Sequence, residues 1–600
     1  MISSVNLLKQ NFGYNSQKPK SEEKHNFNSA MSKNQVAFKA EYVPTLLAQF
    51  TKDYNLKNKK DNLNIIKAEK SQNTKSVSEI KNQNINYKNN LRQMFQNNEA
   101  VIMAVVPRLM GAKDTNGDDY VSTKEVRGNL INSVEKLDEI KALGVNTLHV
   151  LPINPPGSKH AYGTAGSLYA PLDFLQIDPA LKDPNDPRSV DEQFKYFTDE
   201  AHKRGMKVML DLPSCASFDL FEKEQDLMAI ERSGLSKTPQ GWSDIRMLGP
   251  WKDESKHILN DKLIKMHKQF IDKFQALGID GIRADVSRAK PTEFWDVIIP
   301  YSRIKDPQFA WLAETYVYED ASPQLNMMHD RPIDALRAGF DSFYGQYHIF
   351  NQWTKAKDLT NYVIENLEMS KGLDKGKSLI GSFGTHDDQS LMFSGGPNFL
   401  NLVSGLEATL PMMNPYFVHG FESGDKYLYA YENCIFKPEN KSESVTDSDL
   451  LKVHHGRLDI FNNSRCPGGN NPEIGKFMSS AMKMRKQYQD VLTKGSFIPL
   501  EVDKNPNDQI IAFARHYNGK TLMVIANRNV NRRQSGLISV PTLRSDQKLK
   551  GLLPKYSDTN KIQIQKESVA VDLAPGRIQV YEIDTPHIEI SGVKVYKQNI

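Results

Sequence analysis

Four acidic side chains close apolar runs that have the length of buried strands. VMLD ends at Asp211, GIRAD at Asp285 and WLAE at Glu314, and SLIGSFGT runs into His386 and Asp387. The carboxyl ends of parallel barrel strands share one face, where the active sites of barrel enzymes lie. Each acid alone is equally well explained as a capping or salt-bridged residue at a loop start. Four acids at the mouth of one barrel favour a catalytic site.

The residues around two of these acids predict different protonation states. Arg283 and Asp285 are two positions apart on a strand, so their side chains point the same way and the guanidinium favours the ionised carboxylate. Glu314 follows the apolar run 311–313, which predicts a raised pKa and a protonated acid near neutrality. One ionised and one protonated acid is the pair that glycoside cleavage needs, as nucleophile and general acid/base.

Clustered acids are also used to bind divalent metals. His386 is the one imidazole near these strand ends, and the sequence has neither an HExxH motif nor a paired-His spacing. We therefore predict that catalysis needs no metal ion or other cofactor.

The elements that must position the acids repeat as helix, glycine and strand. Gly144, Gly205 and Gly278 stand where the left-handed turn that ends a helix favours glycine. The strands that follow are nearly continuous apolar runs, which indicates a parallel sheet covered on both faces. The eight candidate strands lie in VIMAVVPR, NTLHVLPIN, KVMLDLPS, GIRADVS, FAWLAETY, GFDSFY, SLIGSFGT and ATLPMMNPYF.

Eight strands that alternate with helices predict an α/β fold with a (β/α)8 barrel of the TIM type, over residues 98–493 and with a short insertion at about 214–258, after the third strand. An open doubly wound sheet would need a glycine-rich phosphate turn, which the sequence lacks. Residues 1–97 are dense in Asn, Lys, Gln and Ser and predict a mostly disordered leader.

Beyond the barrel the pattern becomes all-β. IIAFARHY and KTLMVIANR flank Asn518-Gly519, a strongly favoured two-residue hairpin turn. Residues 494–585 therefore predict an antiparallel β-sandwich, and residues 586–600 a loosely held tail.

Composition excludes several classes of protein. No apolar run approaches the roughly 18 residues that a membrane-spanning helix needs, and the net charge of +5 is too small and too dispersed to imply a nucleic-acid face. The sparse, odd set of cysteines, and the lack of a signal-like segment at the start, favour a reducing compartment; the cysteines are Cys215, Cys434 and Cys466. We expect a cytoplasmic protein that acts on neither membranes nor nucleic acid.

Three segments resemble known signatures. GIRADVSRA, WLAET and GTHDD, in this order, resemble the second, third and fourth signature segments of the α-amylase family, and the similarity covers roughly residues 100–585. The resemblance implies a retaining double displacement on α-glucosidic bonds, with Asp285 as nucleophile and Glu314 as acid/base.

The same resemblance implies roles for the neighbouring residues. Asp387 would be the third acid, which grips hydroxyls of the distorted sugar beside His386, and Arg283 would hold the nucleophile. SLYAPLDFLQIDP resembles the family's segment before the third strand, so Tyr169 would stack under the reacting sugar. A core aromatic is the alternative. Asp211, which opens the first signature segment, is a further predicted substrate-binding residue.

The first segment departs from the family pattern. The family usually has Asn and His where this chain has Cys215 and Ala216, so the His that normally contacts the sugar is absent. The cysteine and the continuation AKPTEFWDVII, with Lys290, resemble the maltosyltransferases that use maltose 1-phosphate, whereas His386 is closer to the ordinary hydrolases.

A second acidic cluster has the spacing of a calcium loop. Positions one, three, five, seven and twelve are filled by Asp114, Asn116, Asp118, Tyr120 and Glu125. Position six is Asp119, where such loops usually have Gly. Similar DxNGD loops bind calcium in some family members. A structural calcium site and a solvated acidic turn both remain open.

Three functions therefore stay open. The first is an α-glucan hydrolase or transglycosylase, a glycosidase of carbohydrate metabolism that acts on an α-glucan or malto-oligosaccharide. The second is a maltosyltransferase with maltose 1-phosphate as donor. The third is a non-catalytic glucan-binding protein of the same fold, which the retention of all three acids with the arginine disfavours.

Overall fold

The computed structural model describes residues 87–117, 121–122, 124–161, 165–230, 236–238, 244–315, 332–426, 468–554, 561–583 and 593–600. The predicted leader lies outside these ranges up to residue 86, as do Cys434 and Cys466. Among the described residues, no helix combines the length and the apolar content needed to cross a bilayer.

A nearly closed parallel sheet forms the centre of the molecule, which confirms the predicted (β/α)8 barrel. Its strands, in spatial order β12-β11-β10-β9-β8-β3-β2-β1-β13, pair in parallel throughout. They are β1 (Ile102–Val105), β2 (Thr147–Val150), β3 (Lys207–Leu212), β8 (Gly281–Ala284), β9 (Ala310–Ala313), β10 (Ser342–Phe343), β11 (Ser378–Ile380), β12 (Met413–Asn414) and β13 (Tyr416–Val418). Each overlaps a run that predicted a strand, and β13 extends one residue beyond its run.

The eighth barrel strand is split, which explains nine strands in an eightfold barrel. Its first part pairs with β11 and its second part with β1, and Pro415 lies between them. The Pro415 carbonyl accepts a hydrogen bond from Ile102 N at 2.7 Å. Proline has no N–H to donate to a strand ladder, so an interruption at this position costs the sheet no donor.

Helices alternate with the strands and cover the barrel. They are α1 (Leu91–Gln96), α2 (Pro107–Met110), α3 (Leu137–Ala142), α4 (Val190–Lys203), α5 (Phe218–Lys223), α6 (Asp261–Ala276), α7 (Thr292–Lys305), α8 (Pro332–Arg337), α9 (Ala356–Ser370), α10 (Leu391–Thr409), α11 (Pro472–Gln487) and α12 (Gln489–Lys494). Short 3-10 turns are Asn132–Lys136, Pro179–Leu181, Gln225–Leu227, Glu254–Lys256, Ser287–Ala289, Tyr347–Ile349 and Phe421–Ser423. Gly144, Gly205 and Gly278 all have positive φ (97°, 73° and 96°), as their pattern predicted.

The segment after β3 forms two small antiparallel pairs. The strands are β4 (Cys215–Ser217) with β5 (Ile245–Met247), and β6 (Trp251–Asp253) with β7 (Ile258–Leu259). This is the short insertion that the sequence predicted, and β4 brings the segment directly after Asp211 back against the barrel mouth.

Two antiparallel sheets form the C-terminal β-sandwich. The five-stranded sheet has the order β14-β16-β17-β22-β19 and the four-stranded sheet the order β15-β18-β21-β20. The strands are β14 (Ser496–Pro499), β15 (Val502–Asp503), β16 (Ile510–Tyr517), β17 (Lys520–Asn527), β18 (Gln534–Ser539), β19 (Lys550–Gly551), β20 (Lys561–Gln565), β21 (Ser568–Leu573) and β22 (Ile578–Ile583). Asn518 and Gly519 both have positive φ (46° and 77°) in the predicted hairpin turn.

Alternation along β16 and β17 joins the sandwich to the barrel. Phe513 and Val524 belong to the barrel's hydrophobic cluster, whereas Ala512 and Ile525 belong to the cluster between the two sheets. Successive residues of a strand face opposite sides, so one sheet serves both cores.

Both ends of the described chain are packed. Leu91 and Phe95 are fully buried, and the Tyr87 ring stacks on His202 at 3.6 Å, so residues 87–97, assigned to the leader by their composition, are structured. At the other end, Tyr596 exchanges two backbone hydrogen bonds with Phe497 at 2.8 and 2.9 Å. This corrects the prediction of a loosely held tail for residues 593–600.

Candidate active site

The predicted acids and their arginine converge on the carboxyl ends of the barrel strands. Arg283 lies in β8 and Asp285 directly follows it, while Glu314 follows β9 and Asp387 follows β11. Asp211 lies near the end of β3. All five side chains are buried, with at most 2% of each residue exposed.

One guanidinium holds three of these carboxylates together. Arg283 Nη1 lies 3.0 Å from Asp285 Oδ1 and 3.0 Å from Asp211 Oδ1, and Nη2 lies 2.8 Å from Glu314 Oε2. Ion pairs this deeply buried depend on good geometry and full hydrogen bonding. Arg283 therefore fixes the relative positions of three strand ends.

The carboxylate of Asp285 is held on both of its oxygens. Oδ1 contacts Arg283, and Oδ2 accepts a hydrogen bond from Ser214 N at 3.0 Å. Burial, opposed by Arg283 and reinforced by the nearby Glu314, raises the pKa of Asp285 to about 7.

The environment of Glu314 lowers the pKa of its carboxyl group. Burial alone would raise its pKa, but the Arg283 guanidinium and the Val286 N–H, which donates to Oε2 at 2.6 Å, lower it. Val286 has a left-handed backbone (φ 36°), a strained conformation for a β-branched residue, and this turn aims its N–H at Glu314. Both contacts favour the ionised form of Glu314, whereas the sequence predicted a protonated acid.

His386 and Tyr169 join Asp387 to the rest of the site. His386 Nε2 lies 3.5 Å from Asp387 Oδ1 and 2.7 Å from the Tyr169 hydroxyl, which donates to Asp211 Oδ2 at 2.8 Å. Burial lowers the pKa of His386 to about 4, so the imidazole is neutral. Tyr169 is itself 1% exposed, so its predicted stacking under a sugar remains a prediction.

Sequence and structure comparisons find related proteins. The chain is 26% identical over 227 residues to an intracellular maltogenic amylase of Bacillus subtilis, a match that spans 36% of this chain and 34% of that relative. It is 26% identical over 381 residues to an α-1,4-glucan:maltose-1-phosphate maltosyltransferase of Corynebacterium pseudotuberculosis, which covers 59% of this chain and 52% of that relative. No family model matches.

The solved structures extend the comparison to the fold. A maltogenic α-amylase from Thermotoga neapolitana superposes with a TM-score of 0.58 at 19% identity, over 82% of this chain and 99% of that chain. The chain resembles the α-amylase family in both sequence and fold. The sequence matches cover only about a third to a half of the two relatives above, so activity does not follow from them directly.

This α-amylase-like site contains a histidine that the sequence analysis missed. His149, on β2, lies with Nε2 3.1 Å from Asp211 Oδ2 and with Nδ1 3.0 Å from the Tyr416 hydroxyl. It contacts Asp211 in a chain whose first signature segment has Ala216 in place of the usual His. A polar residue inside the apolar run TLHVLP was the available signal.

Tyr344 is a second residue that the sequence analysis missed. Its hydroxyl accepts a hydrogen bond from Arg283 Nε at 3.1 Å, and it also hydrogen-bonds Tyr416. A closed ring of contacts thus joins five side chains: Arg283, Tyr344, Tyr416, His149 and Asp211. The ring leaves the guanidinium little freedom to turn.

The predicted calcium loop is described only in part. The carboxylates of Asp114 and Glu125 each accept a hydrogen bond from a backbone N–H of the loop at 2.7 Å. Asn116 lies between them in the sequence. The remaining two predicted ligands, Asp118 and Tyr120, lie outside the described residues. Within the described ranges, no group of three His, Cys, Asp or Glu side chains has a metal-binding arrangement. The oxygen donors that calcium prefers are present at three positions, and structural calcium stays a prediction.

Proposed function

We propose that this chain is an α-amylase-like enzyme that cleaves or transfers α-glucosidic bonds by a retaining double displacement. The observation that carries the proposal is the contact of one buried arginine, Arg283, with both Asp285 and Glu314 at the barrel mouth. Retaining glycosidases need two carboxyl groups close together, one as nucleophile and one as acid/base.

In the proposed first step, a carboxylate oxygen of Asp285 attacks the anomeric carbon and forms a glycosyl ester. Glu314 donates its proton to the leaving oxygen as the glycosidic bond breaks. In the second step Glu314 takes a proton from water or from an acceptor hydroxyl, which displaces Asp285 and restores the original anomeric configuration. Asp387, His386 and Tyr169 are proposed to hold the sugar.

The number of protons that the site binds suits this cycle. Below about pH 7 the pair Asp285 and Glu314 binds one proton. The mechanism needs that proton on Glu314 before attack. We propose that the proton lies on Glu314 when a sugar is bound.

The substrate class is supported by the names of the relatives, which are amylases and α-1,4-glucan maltosyltransferases. We propose an α-glucan or malto-oligosaccharide substrate. We also propose an intracellular location, as the name of the Bacillus subtilis relative states for that protein.

Transfer from maltose 1-phosphate is the second candidate. Cys215 and Lys290, both buried beside the nucleophile, are the features of this chain that favour it, together with the matched maltosyltransferases. Supplying maltodextrin alone, and then with maltose 1-phosphate, separates the two activities. Release of inorganic phosphate only in the second reaction would establish the transferase.

Asp285→Asn tests the assignment of the nucleophile. We expect a loss of kcat of more than about a thousandfold with an unchanged melting temperature, because the acid is replaced by a near-isosteric amide that cannot form the ester. Asp546→Asn, an exposed acid in the C-terminal sandwich, is the matched control and should keep full activity. Retained turnover in Asp285→Asn would overturn the proposed mechanism.

A further inference from the structure

Lys290 is a buried cation that the proposed reaction does not yet use. It follows the 3-10 turn after β8 and is 1% exposed. Within the described residues, the hydrogen bond of its ammonium goes to Ser214 Oγ at 3.0 Å, and its Nζ lies 5.7 Å from the centre of the Trp295 ring. A buried ammonium is costly unless a negative charge lies close by.

Ser214 connects this ammonium to the nucleophile. Its backbone N–H donates to Asp285 Oδ2 at 3.0 Å, and its hydroxyl donates to the Asp285 carbonyl oxygen. The hydroxyl oxygen is thereby free to accept the Lys290 N–H. The hydrogen bonds therefore run from Lys290 to the Ser214 hydroxyl and on to the backbone carbonyl of Asp285, while the backbone N–H of the same serine holds the carboxylate.

The titratable groups around Lys290 leave Asp285 as its negative partner. Burial raises the pKa of the Cys215 thiol, which stays neutral, and burial lowers the pKa of His267 to about 3, so that imidazole is also neutral. Burial lowers the pKa of Lys290 itself to about 8, which keeps it charged at neutral pH. Asp285 is the remaining charged neighbour that acts on Lys290.

We propose that Lys290 is a positioning residue for the nucleophile: through Ser214 it fixes the Asp285 carboxylate, and its charge favours ionised Asp285 with the shared proton on Glu314. The inference rests on the proposed function and deepens it, because it supplies the second cation that a site with several acids and one arginine requires.

The position of Lys290 also argues against a role in binding the phosphate of a maltose 1-phosphate donor. In a retaining displacement the leaving group departs from the face opposite the nucleophile. Lys290 reaches the site through the residue that holds the nucleophile, so its charge lies on the nucleophile's side. We therefore assign it to Asp285 in either the hydrolytic or the transferase reaction.

The test compares pH profiles of kcat/KM for the full chain on maltodextrin. Lys290→Met should lower the maximum of kcat/KM about tenfold, because a smaller fraction of the Asp285 and Glu314 pairs has its proton on Glu314. It should also move the acidic and the basic limb of the pH profile about one pH unit to higher pH. Lys290→Arg keeps the charge and should leave the limbs in place. The matched control is Lys377→Met, which removes another buried lysine (7% exposed) at the opposite end of the barrel, and it should leave the limbs unmoved.

Ser214→Ala gives a second test in case Lys290→Met does not fold. This substitution removes the hydroxyl that accepts from Lys290 but keeps the backbone N–H bond to Asp285. Both limbs of the pH profile should therefore move to higher pH, by less than in Lys290→Met. Unmoved limbs in a folded Lys290→Met or Ser214→Ala variant would overturn the inference. A wild-type chain inactive on every α-glucan and on maltose 1-phosphate would instead overturn the proposed function.

Discussion

At the scale of single residues, the site is defined by an imbalance of charge. Arg283 carries one positive charge and contacts three buried carboxylates, with Asp387 close behind His386. Buried like charges cannot all ionise at neutral pH, so a proton remains on one member of the group. In the proposed mechanism, this bound proton is the one that the general acid donates.

This charge balance predicts the pH dependence. The pKa of Asp285 is raised to about 7 while Glu314 is ionised, so the pair carries one proton below about pH 7 and none above it. Without that proton there is no general acid, and kcat/KM should fall as the pH rises through about 7. Initial rates at limiting maltodextrin, from about pH 5 to about pH 9, measure this limb. A rate that keeps rising across this range would contradict the assignment.

At this scale the sequence predicted the residues of the site but not their protonation states. The two-residue spacing of Arg283 and Asp285 correctly put both side chains on one side of β8. The apolar approach to Glu314 predicted a raised pKa, yet the deciding groups come from another strand end. The strained turn at Val286, with φ 36°, cannot be read from a valine in the sequence.

At the scale of elements, the helix, glycine and strand unit sets where each acid stands. Gly278 ends α6 with a φ of 96°, and the chain then enters β8, which carries Arg283 to the mouth. The pattern of apolar runs was sufficient to predict every barrel strand. The split of the last strand at Pro415 was not predicted, because it follows from pairing with two different neighbours.

Two glycines give an element-scale prediction with its own control. A Cβ on Gly278 would lie 2.8 Å from Thr198 Oγ1, whereas a Cβ on Gly205, also at positive φ, meets nothing within 4 Å. We expect Gly205→Ala to lower the free energy of unfolding by about 1 kcal/mol and Gly278→Ala by about 3 kcal/mol. Denaturant titration measures both. Equal losses would show that the contact with Thr198 relaxes freely.

At the scale of the whole molecule, the C-terminal sandwich and the chain's last residues brace the barrel. The five-stranded sheet contributes Phe513 and Val524 to the barrel's hydrophobic cluster. Asn599 donates from its side chain to the carbonyl oxygens of Ser370 and Leu373 at 3.1 and 2.9 Å. The strand pattern predicted a sandwich but gave no sign of these contacts, because short polar tails look alike whether packed or free.

The packed tail predicts a measurable loss of stability. Asn599→Ala removes two hydrogen bonds to the end of α9 and the turn after it, and we expect it to lower the free energy of unfolding by about 1–2 kcal/mol. Lys597→Ala, at an exposed position in the same segment, is the control and should change it little. If the two variants are equally stable, the tail does not brace the barrel.

The central claim is that Asp285 and Glu314 carry out a retaining displacement on an α-glucan. The most direct measurement is proton NMR of the first products from maltodextrin, recorded before mutarotation mixes the anomers. A retaining displacement predicts products with the α configuration, released by the wild-type chain and absent with Asp285→Asn. Products that first appear as β anomers would show inversion and contradict it.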